Sequence, residues 1–305
     1  MLQVLIGTNI PFMKYRRWAY AVSALLVVAT SVWLVAHGGP YYSVDFTGGT
    51  VLQIRTSQLL DADQVRRALD RGGFRGFELQ QMTGQQSQGE YLLRFKGSIE
   101  DAFNGVEAAM LKAFPGLEVE LRNQVMVGPK VGNELRQKAL WAVLWSLGGI
   151  LLYVGFRYEF KFALGAVVSL FHDVFIVLGF LCFTGREISL TVIAALLTLA
   201  GFSINDTIVV FDRIRERSKE LRKETHSRAM DIAINETLSR TVITSLTVFL
   251  AALGLFIWGG EVLHDFAFAM LVGVVFGTYS SIYVATALAL EIWIRLDRRK
   301  GIQAE

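Results

Sequence analysis

The sequence predicts a polytopic α-helical membrane protein with one α+β domain outside the membrane. Composition is the first observation, because hydrophobic residues make up 53% of the chain, charged residues only 19%, and the mean hydropathy is +0.42. These values are typical of membrane proteins rather than of globular domains. Six apolar runs of about 18 residues or more, each long enough to cross a bilayer, are the second observation. The third is a single hydrophilic segment, residues 37–138, between the first and second runs.

A short basic segment, residues 1–17, precedes the first apolar run at residues 18–36. A secretory signal peptide has an apolar core of about 7 to 15 residues and ends at a small-residue cleavage site. This run is longer, and the sequence AHG that follows it is a poor cleavage site. We therefore predict an uncleaved first transmembrane helix.

The hydrophilic segment at residues 37–138 carries twelve Lys or Arg and twelve Asp or Glu, so its surface is electrically balanced. Strands are predicted where apolar residues alternate, and helices where they recur at a spacing of three to four. In chain order the predicted elements are strand 51–55, helix 62–73, strands 77–82 and 91–95, a helix capped by Ser98, and strand 117–121. The order β-α-β-β-α-β predicts a ferredoxin-like domain, and a further extended piece at 125–134 is expected to link it to the second membrane helix.

The second to sixth apolar runs form a predicted five-helix bundle within residues 139–294. These runs are 139–156, 162–183, 188–211, 241–258 and 266–294. Basic residues cluster at the N-terminus, between the second and third runs, in the loop 212–239 and in the C-terminal segment 295–305, whereas the opposite short loops contain only Arg186. The positive-inside rule therefore predicts that both termini are cytoplasmic and that residues 37–138 lie outside.

The fourth apolar run is unusual because it carries polar residues deep inside it, among them Asp206. At 1.5 Å per residue, Asp206 lies about 10 Å along the helix from Arg213, so its carboxylate is within the hydrocarbon region. An ionised Asp at that depth costs about 3 kcal/mol or more. The group must therefore be partnered or take up a proton, and we interpret it as an ion-coupling residue, a structural ion pair being the alternative. Asn205 and Thr207 flank it and could supply oxygens to an ion.

Small and polar residues also form a stripe along this helix, which predicts an interface with other helices rather than a lipid-facing surface. The stripe consists of Ala194, Thr198, Gly201, Asn205 and Ile208.

Three other spans carry residues that bear on the same site. In the fifth, Arg240 has a side chain long enough to reach the depth of Asp206 and to compensate its charge. In the third, His172 and Asp173 lie near the middle, where a proton-relay role and a buried pair satisfied by hydroxyl groups both remain open. In the sixth, Gly273 and Gly277 have the spacing of close helix packing.

No residue pattern in the chain indicates catalysis. The sequence shows no nucleophile beside a base, no metal-spaced set of His and Cys, and no phosphate-binding glycine loop. The single cysteine, Cys182, excludes an internal disulfide and lies in an apolar run, where a buried thiol is expected. We therefore expect a protein that is not an enzyme, uses no cofactor or metal, and takes its energy from an ion gradient or a partner.

Four stretches resemble the SecF family of bacterial protein-export components. Residues 201–217, GFSINDTIVVFDRIRER, are similar to that family's fourth membrane helix. The other three stretches occur in the family's order and extend the resemblance over nearly the whole chain; they are VDFTGGT at 44–50, VGPKVGNELRQKAL at 127–140 and NETLSRTVITS at 235–245. The family's external motif falls on Asp45, Phe46, Thr47, Gly48, Gly49 and Thr50, where a simple strand-entry turn is the alternative interpretation.

The resemblance implies a function and a set of partners. The six helices would form one half of a twelve-helix assembly, completed by SecD and related to the resistance-nodulation-division (RND) superfamily. The implied task is to use the proton-motive force at a late stage of export, after the SecA ATPase has acted, to help preproteins through the SecYEG channel of the cytoplasmic (inner) membrane. YajC is a further implied partner.

Two other classes of function remain open at this point. An ion-coupled small-molecule exporter of the RND superfamily would explain the ion site, but its external porter would need more than one domain of about a hundred residues. A translocon assembly factor without an energy source would explain the architecture but not the cost of Asp206. The coupling ion is expected to be H⁺, with Na⁺ as the alternative.

Overall fold

The computed structural model describes residues 7–82, 89–95, 99, 101–221 and 223–299. The chain divides into two compact units. The membrane unit contains the residues up to Tyr41 and those from Trp141 onward, and the sheet unit contains residues 42–140.

The two units are built from ten α-helices and four strands in the described part of the chain, with a 3-10 turn at Phe12–Tyr15 and a π-turn at Ser281–Ala285. In chain order they are α1 (Arg16–Ala36), α2 (Val44–Thr47), β1 (Gly49–Thr56), α3 (Ala62–Arg71), β2 (Glu78–Gln81), β3 (Glu90–Phe95), α4 (Ala102–Ala113), β4 (Val119–Val127), α5 (Pro129–Arg157), α6 (Phe160–Phe183), α7 (Leu190–Glu220), α8 (His226–Trp258), α9 (Gly260–Ser280) and α10 (Thr286–Arg299).

Six helical segments of the described chain are long and apolar enough to cross a membrane, which agrees with the predicted number. Five are single helices, namely α1, α5, α6, α7 and α8. The sixth consists of α9 and α10, which the π-turn joins into one continuous segment. The protein is therefore a polytopic helical membrane protein.

The helices extend beyond the apolar runs, most of all in the segment predicted as a loop at 212–239. There α7 continues to Glu220 and α8 begins at His226, so most of the predicted loop is helical. Ion pairs hold the two extensions together, because Arg213 and Arg217 of α7 both bond to Glu236 of α8. The apolar periodicity could not reveal these turns, since charged side chains rather than apolar ones stabilise them.

The buried helices of the membrane unit are α6, α7 and the sixth span, whereas α1, α5 and α8 are largely exposed. Glycines allow the buried helices to approach closely. A Cβ at Gly165 of α6 would lie 2.6 Å from the carbonyl oxygen of Ala285, and one at Gly179 would collide with Thr30 of α1. Small residues at such positions let backbones pack against each other, as membrane helices require.

The sheet unit has the predicted order β-α-β-β-α-β. Its four strands form one antiparallel sheet in the order β2-β3-β1-β4, so β3 lies between β1 and β2. The core between the sheet and the helices α3 and α4 is apolar and includes Leu52, Ile54, Leu69, Leu93 and Met110, each fully buried.

Most boundaries in the sheet unit lie within two residues of the prediction, and the largest difference is at β4. Strand β4 begins later and ends later than predicted, because its pairing with β1 continues past a register shift at Gln53/Ile54 and reaches Val127. The expected linker at 125–134 is therefore partly strand, and α5 begins directly after it with Pro129, a residue suited to a first helical turn. The predicted helix cap, Ser98, lies outside the described residues.

Candidate functional site

Asp206 lies in the middle of α7 and is only 6% exposed. Its Oδ1 accepts a hydrogen bond of 2.9 Å from the hydroxyl of Thr241 on α8. Its Oδ2 is buried and makes no hydrogen bond of normal geometry among the described residues, although the Ser281 hydroxyl of the π-turn lies close to the carboxyl group. The carboxyl group therefore faces protein, as predicted, and only one of its two oxygens is satisfied.

Arg240, the expected partner of Asp206, lies at the same depth but points elsewhere. It precedes Thr241 in α8, and its side chain is exposed on the surface of the bundle. Among the described residues no ion pair within 4.0 Å joins Arg240 to Asp206. Its charge is nevertheless close enough to act on the Asp206 carboxyl group.

The two neighbours of Asp206 in the sequence do not gather around it. Asn205 is exposed on the outer side of α7. Thr207 is buried, and its hydroxyl lies 2.9 Å from that of Ser281 in the π-turn. Asn205 therefore does not share a site with Asp206, and Thr207 is connected to it through Ser281.

Asp173 is the second carboxylate of the bundle, and it is fully buried. Its Oδ1 lies 3.0 Å from Nδ1 of His172. Its Oδ2 accepts hydrogen bonds from the hydroxyls of Ser203 on α7 at 2.6 Å and Ser280 on α9 at 2.7 Å. The hydroxyl of Ser169 donates in turn to Ser280 at 3.0 Å. Both oxygens of Asp173 are therefore satisfied, in contrast to those of Asp206.

The sequence alone did not identify Ser23, Tyr279 or Ser280 as part of this polar region. Ser23 of α1 lies 3.1 Å from Nε2 of His172 and 3.1 Å from the hydroxyl of Tyr279. A single Ser in an apolar run is a weak signal, because most such residues bond back to their own helix. The adjacent residues Ser280 and Ser281 were the available signal, since two neighbouring hydroxyls are uncommon in an apolar membrane helix.

The glycines Gly273 and Gly277 of α9 lie against α7. A Cβ at Gly273 would come within 2.5 Å of the Leu199 side chain. One at Gly277 would lie 3.5 Å from Cβ of Ser203 and 3.7 Å from Oδ2 of Asp173. These glycines therefore determine how closely α9 approaches the Asp173 site.

The motif at residues 45–50 forms a turn that leads into β1. Ser43 begins the single turn of α2, in which Phe46 is buried. Gly48 and Gly49 then adopt positive φ values of 70° and 146°, and a Cβ at Gly49 would lie 2.6 Å from the carbonyl oxygen of Phe95. The hydroxyl of Thr50 accepts a hydrogen bond from the backbone of Ile99. The paired glycines are thus required by the backbone at the entry to the sheet.

Comparison with known proteins connects this arrangement to protein export. Residues 106–295 match the family described as "Protein export membrane protein SecD/SecF, C-terminal", and residues 33–58 match the "SecD/SecF GG Motif".

Individual relatives match over nearly the whole chain. The protein translocase subunit SecF of Thermodesulfovibrio yellowstonii is 40% identical, over 95% of this chain and 97% of that protein. The SecF of Vibrio alginolyticus is also 40% identical, over 100% of this chain and 97% of that protein.

A crystal structure of SecDF from Thermus thermophilus, described as a translocon-associated membrane protein, superposes with a TM-score of 0.86 at 39% identity. That comparison covers 96% of this chain but only 40% of the longer SecDF chain. The sequence matches and the shared architecture agree, and the chain belongs to the SecF branch of the SecD/SecF family of protein-export membrane proteins.

Proposed function

We propose that this chain works with SecD to use the proton-motive force at a late stage of preprotein export through SecYEG. Its relatives are named as protein translocase subunits, which supports a role in protein translocation. The observation that carries the energetic part of the proposal is the buried Asp206 carboxyl group, of which one oxygen is bonded and the other is not.

The energetics of Asp206 favour a group that gains and loses a proton. An ionised carboxylate in the hydrocarbon region costs about 3 kcal/mol or more, and a buried oxygen without a donor adds about 1 to 3 kcal/mol. A proton on Oδ2 removes the charge, so the described arrangement suits the protonated form. An arrangement that brings a cation or a donor to Oδ2 suits the ionised form. Helix movement and proton occupancy are then coupled, because each arrangement favours one protonation state.

The same geometry favours H⁺ over Na⁺ as the coupling ion. A hard metal cation requires several oxygen ligands around one point. Asn205 is exposed and Thr207 bonds to Ser281, so the hydroxyls beside Asp206 in the described residues are those of Thr241 and Ser281, fewer oxygens than a metal cation requires. A proton needs no such set of ligands.

We further propose that SecD covers the outer faces of α7 and α8. These faces carry small residues that suit close helix packing, together with Asn205 and Arg240, whose polar side chains lipid cannot satisfy. The exposed members are Ala194, Thr198, Gly201 and Asn205 on α7, and Arg240, Thr244, Thr247 and Ala251 on α8. An exposed Arg at the depth of Asp206 requires an acidic or polar group opposite it, and a second membrane subunit can supply one. Some relatives are longer chains named SecDF, of which this chain matches 40%, and their combined name supports SecD as that subunit.

The sheet unit, which we place among ferredoxin-like domains outside the cytoplasmic membrane, is the part that would contact the preprotein. It is continuous in sequence with α1 on one side and α5 on the other. A helix shift that follows protonation of Asp206 would therefore reach it through the chain itself. YajC is a further candidate partner.

The test is Asp206→Asn in inner-membrane vesicles that contain SecYEG, SecA and SecD. Asn keeps the size and can accept the Thr241 hydrogen bond, but it cannot titrate. We expect normal insertion and normal SecD association with complete loss of the export stimulated by a proton gradient. Glu220→Gln is the matched control, because it neutralises an exposed carboxylate at the end of the same helix.

Proton and sodium gradients should be imposed separately in these vesicles. Stimulation by the sodium gradient alone would replace H⁺ by Na⁺ in the proposal. Normal proton-driven export by Asp206→Asn would refute the mechanism and would favour an assembly factor. Efflux of a small dye from the vesicles would favour an exporter.

A further inference from the structure

Arg186 is the only basic residue in the short loops that the charge distribution predicts to face outward. It lies in the connection between α6 and α7, and its side chain reaches the beginning of α9. There its Nη1 donates to the carboxylate of Asp265 and lies 3.0 Å from Nδ1 of His264. One nitrogen of the guanidinium group thus joins the α6–α7 connection to the first two turns of α9.

Aromatic rings enclose this cluster. The central guanidinium carbon of Arg186 lies 4.3 Å from the ring centre of Phe268 and 6.0 Å from that of Phe256. The imidazole of His264 stacks on Phe256 of α8, with the two ring centres 4.1 Å apart. Only 21% of the Arg186 side chain is exposed. The polar contacts of the cluster are therefore partly shielded from water, which strengthens the electrostatic interactions among them.

The contact with Arg186 determines which ring nitrogen of His264 carries hydrogen. A guanidinium group has only donors and remains charged at physiological pH. Nδ1 of His264 must therefore accept a hydrogen from Arg186, and the hydrogen of the ring lies on Nε2. Only a neutral His264 can make this contact, because an imidazolium carries hydrogen on both nitrogens. The two hydrogens of Nη1 are then both used, one on His264 and one on Asp265.

Among the described side chains, the charged groups that face His264 are Arg186 and Asp265. The α8 helix brings the ring of Phe256, and residues 249–258 of that helix include no ionisable side chain. Glu187 follows Arg186 in the α6–α7 connection. A hydrogen on Nδ1 would place an imidazolium directly beside the guanidinium group. The contact is then lost, because Nδ1 no longer accepts and the two cations repel each other.

We propose that His264 is a proton-binding site at the outward end of the bundle, and that a proton taken up from the external water at Nδ1 releases Arg186 from α9. The inference rests on the proposed proton coupling and orientation for its role in export, but the titration of His264 is a separate property of the chain. Nε of Arg186 is buried without a hydrogen-bond partner among the described residues. Release into water satisfies that nitrogen and so favours the open arrangement.

Release of Arg186 frees the outer end of α9 from the helices beside it. The α6–α7 connection is bonded to the residues that follow α1, because the amide of Ile188 donates to the carbonyl oxygen of Tyr41 at 2.7 Å. The α9 helix packs against α7 and continues into the π-turn, whose Ser281 lies close to Asp206. Protonation at the outer end therefore acts on the helical segment that carries one of the hydroxyls beside Asp206.

The direct test is ¹⁵N NMR of the ring nitrogens of His264 in lipid nanodiscs that contain this chain and SecD, with this chain alone labelled. His264→Gln assigns the signal among the four histidines of the chain. We expect a neutral ring with hydrogen on Nε2 at pH 8 and hydrogen on both nitrogens at pH 5. Hydrogen on Nδ1 at pH 8, or a ring that stays neutral down to pH 5, would overturn the proposal.

Arg186→Gln tests whether Arg186 opposes the protonation of His264. It removes the neighbouring cation, and we expect the midpoint of the His264 titration to rise by about one pH unit, a change of about tenfold in proton affinity. Arg17→Gln is the matched control, because Arg17 is exposed at the other end of α1, about 30 Å away along that helix. An unchanged midpoint in Arg186→Gln, or equal shifts in both variants, would contradict the assignment.

The release itself can be measured by EPR with nitroxide labels at Thr184→Cys and Leu263→Cys in a Cys182→Ser background. Both labelled positions are exposed, and they flank the contact on its two sides. We expect dipolar broadening at pH 8 that decreases at pH 5. His264→Gln keeps an acceptor for Arg186 but binds no proton, so the broadening should persist at pH 5. A spectrum that stays constant while His264 titrates would overturn the proposal.

Export measurements separate this inference from the proposed function. The Asp206→Asn complex should lose proton-driven export and still show the titration of His264 and the pH-dependent EPR spectrum. His264→Gln should lower proton-driven export severalfold and remove its dependence on external pH between 5 and 7, while the SecA-driven step is unaltered. A normal pH dependence of export in His264→Gln would overturn the inference and leave the role of Asp206 intact.

Discussion

Asp206 and Arg240 occupy the same depth of the bundle but face different surroundings. Asp206 faces α8 and is buried, whereas Arg240 lies on the outer surface of α8. The guanidinium group remains charged under all physiological conditions. Two outcomes are therefore open to it in the complex: it pairs with a group on SecD, or it turns inward to Oδ2 of Asp206 when that oxygen loses its proton.

Substitution of Arg240 should therefore impair the energised step. We expect Arg240→Ala to lower proton-driven export by about a hundredfold or more, because an ionised, buried Asp206 that loses its partner costs about 3 to 5 kcal/mol. Preprotein release from vesicles under a proton gradient measures the effect. Arg240→Lys should recover part of the activity, since it keeps the charge but not the planar donor geometry.

Lys223→Ala is the control for this variant, because Lys223 is an exposed cation in the turn between α7 and α8. Full proton-driven export by a stably inserted Arg240→Ala protein would contradict the role assigned to Arg240.

At the residue scale, the sequence predicted the carboxylate but not its partners. The depth of Asp206 follows from its distance to the charged end of its helix, which is a local property. Thr241 on α8 bonds to Asp206, 35 residues away along the chain. Ser281 in the π-turn bonds to Thr207, 74 residues away. Such contacts depend on the rotation of each helix about its axis, and a single sequence does not determine that rotation to within one hydroxyl.

The π-turn is the element that the apolar pattern could not predict. The hydroxyls of Ser280 and Ser281 both reach the carbonyl oxygen of Gly277, and Thr286 bonds back to Ile282 within the same span. Back-bonding of this kind competes with the regular helical ladder and bends helices. Hydropathy nevertheless remains continuous across the segment, so the sequence predicted one uninterrupted span.

The packing of α7 can be tested at two glycines. Gly273 of α9 lies against the inner side of α7, and Gly201 lies on the exposed side of α7. Gly273→Val should destabilise the isolated bundle by about 1 to 3 kcal/mol, because Leu199 is buried and already occupies the space beside Gly273. Gly201→Leu should leave the bundle stable, since nothing lies within 4 Å of Gly201, and it should weaken association with SecD.

Thermal unfolding in detergent and co-purification with SecD distinguish the two effects, and each variant serves as the control for the other. The assignment of the outer face of α7 to SecD would be contradicted if both variants bound SecD normally, or if Gly201→Leu alone destabilised the bundle.

At the scale of the whole molecule, composition and hydropathy predicted six spans and one hydrophilic unit because burial in lipid requires long apolar helices. The order of strands and helices along the sheet unit followed from their apolar periodicity and from glycine-rich ends. The positions where helices end did not follow, since charged pairs such as Arg217 with Glu220 and Glu236 continue α7 past the apolar run.

The orientation of the chain is the last prediction and rests on the one-sided distribution of Lys and Arg. Cytoplasmic loops retain basic residues during insertion, so the connection between α7 and α8 should be cytoplasmic and the sheet unit external. A cysteine placed at Arg75, which is exposed in the sheet unit, should react with a membrane-impermeant reagent in intact cells; one at Lys219, exposed at the end of α7, should react only after lysis. Both are made in a Cys182→Ser background, since Cys182 is the single native thiol. Protection at Arg75 together with labelling at Lys219 in intact cells would reverse the orientation, and Asp206 would then release its proton toward the opposite side.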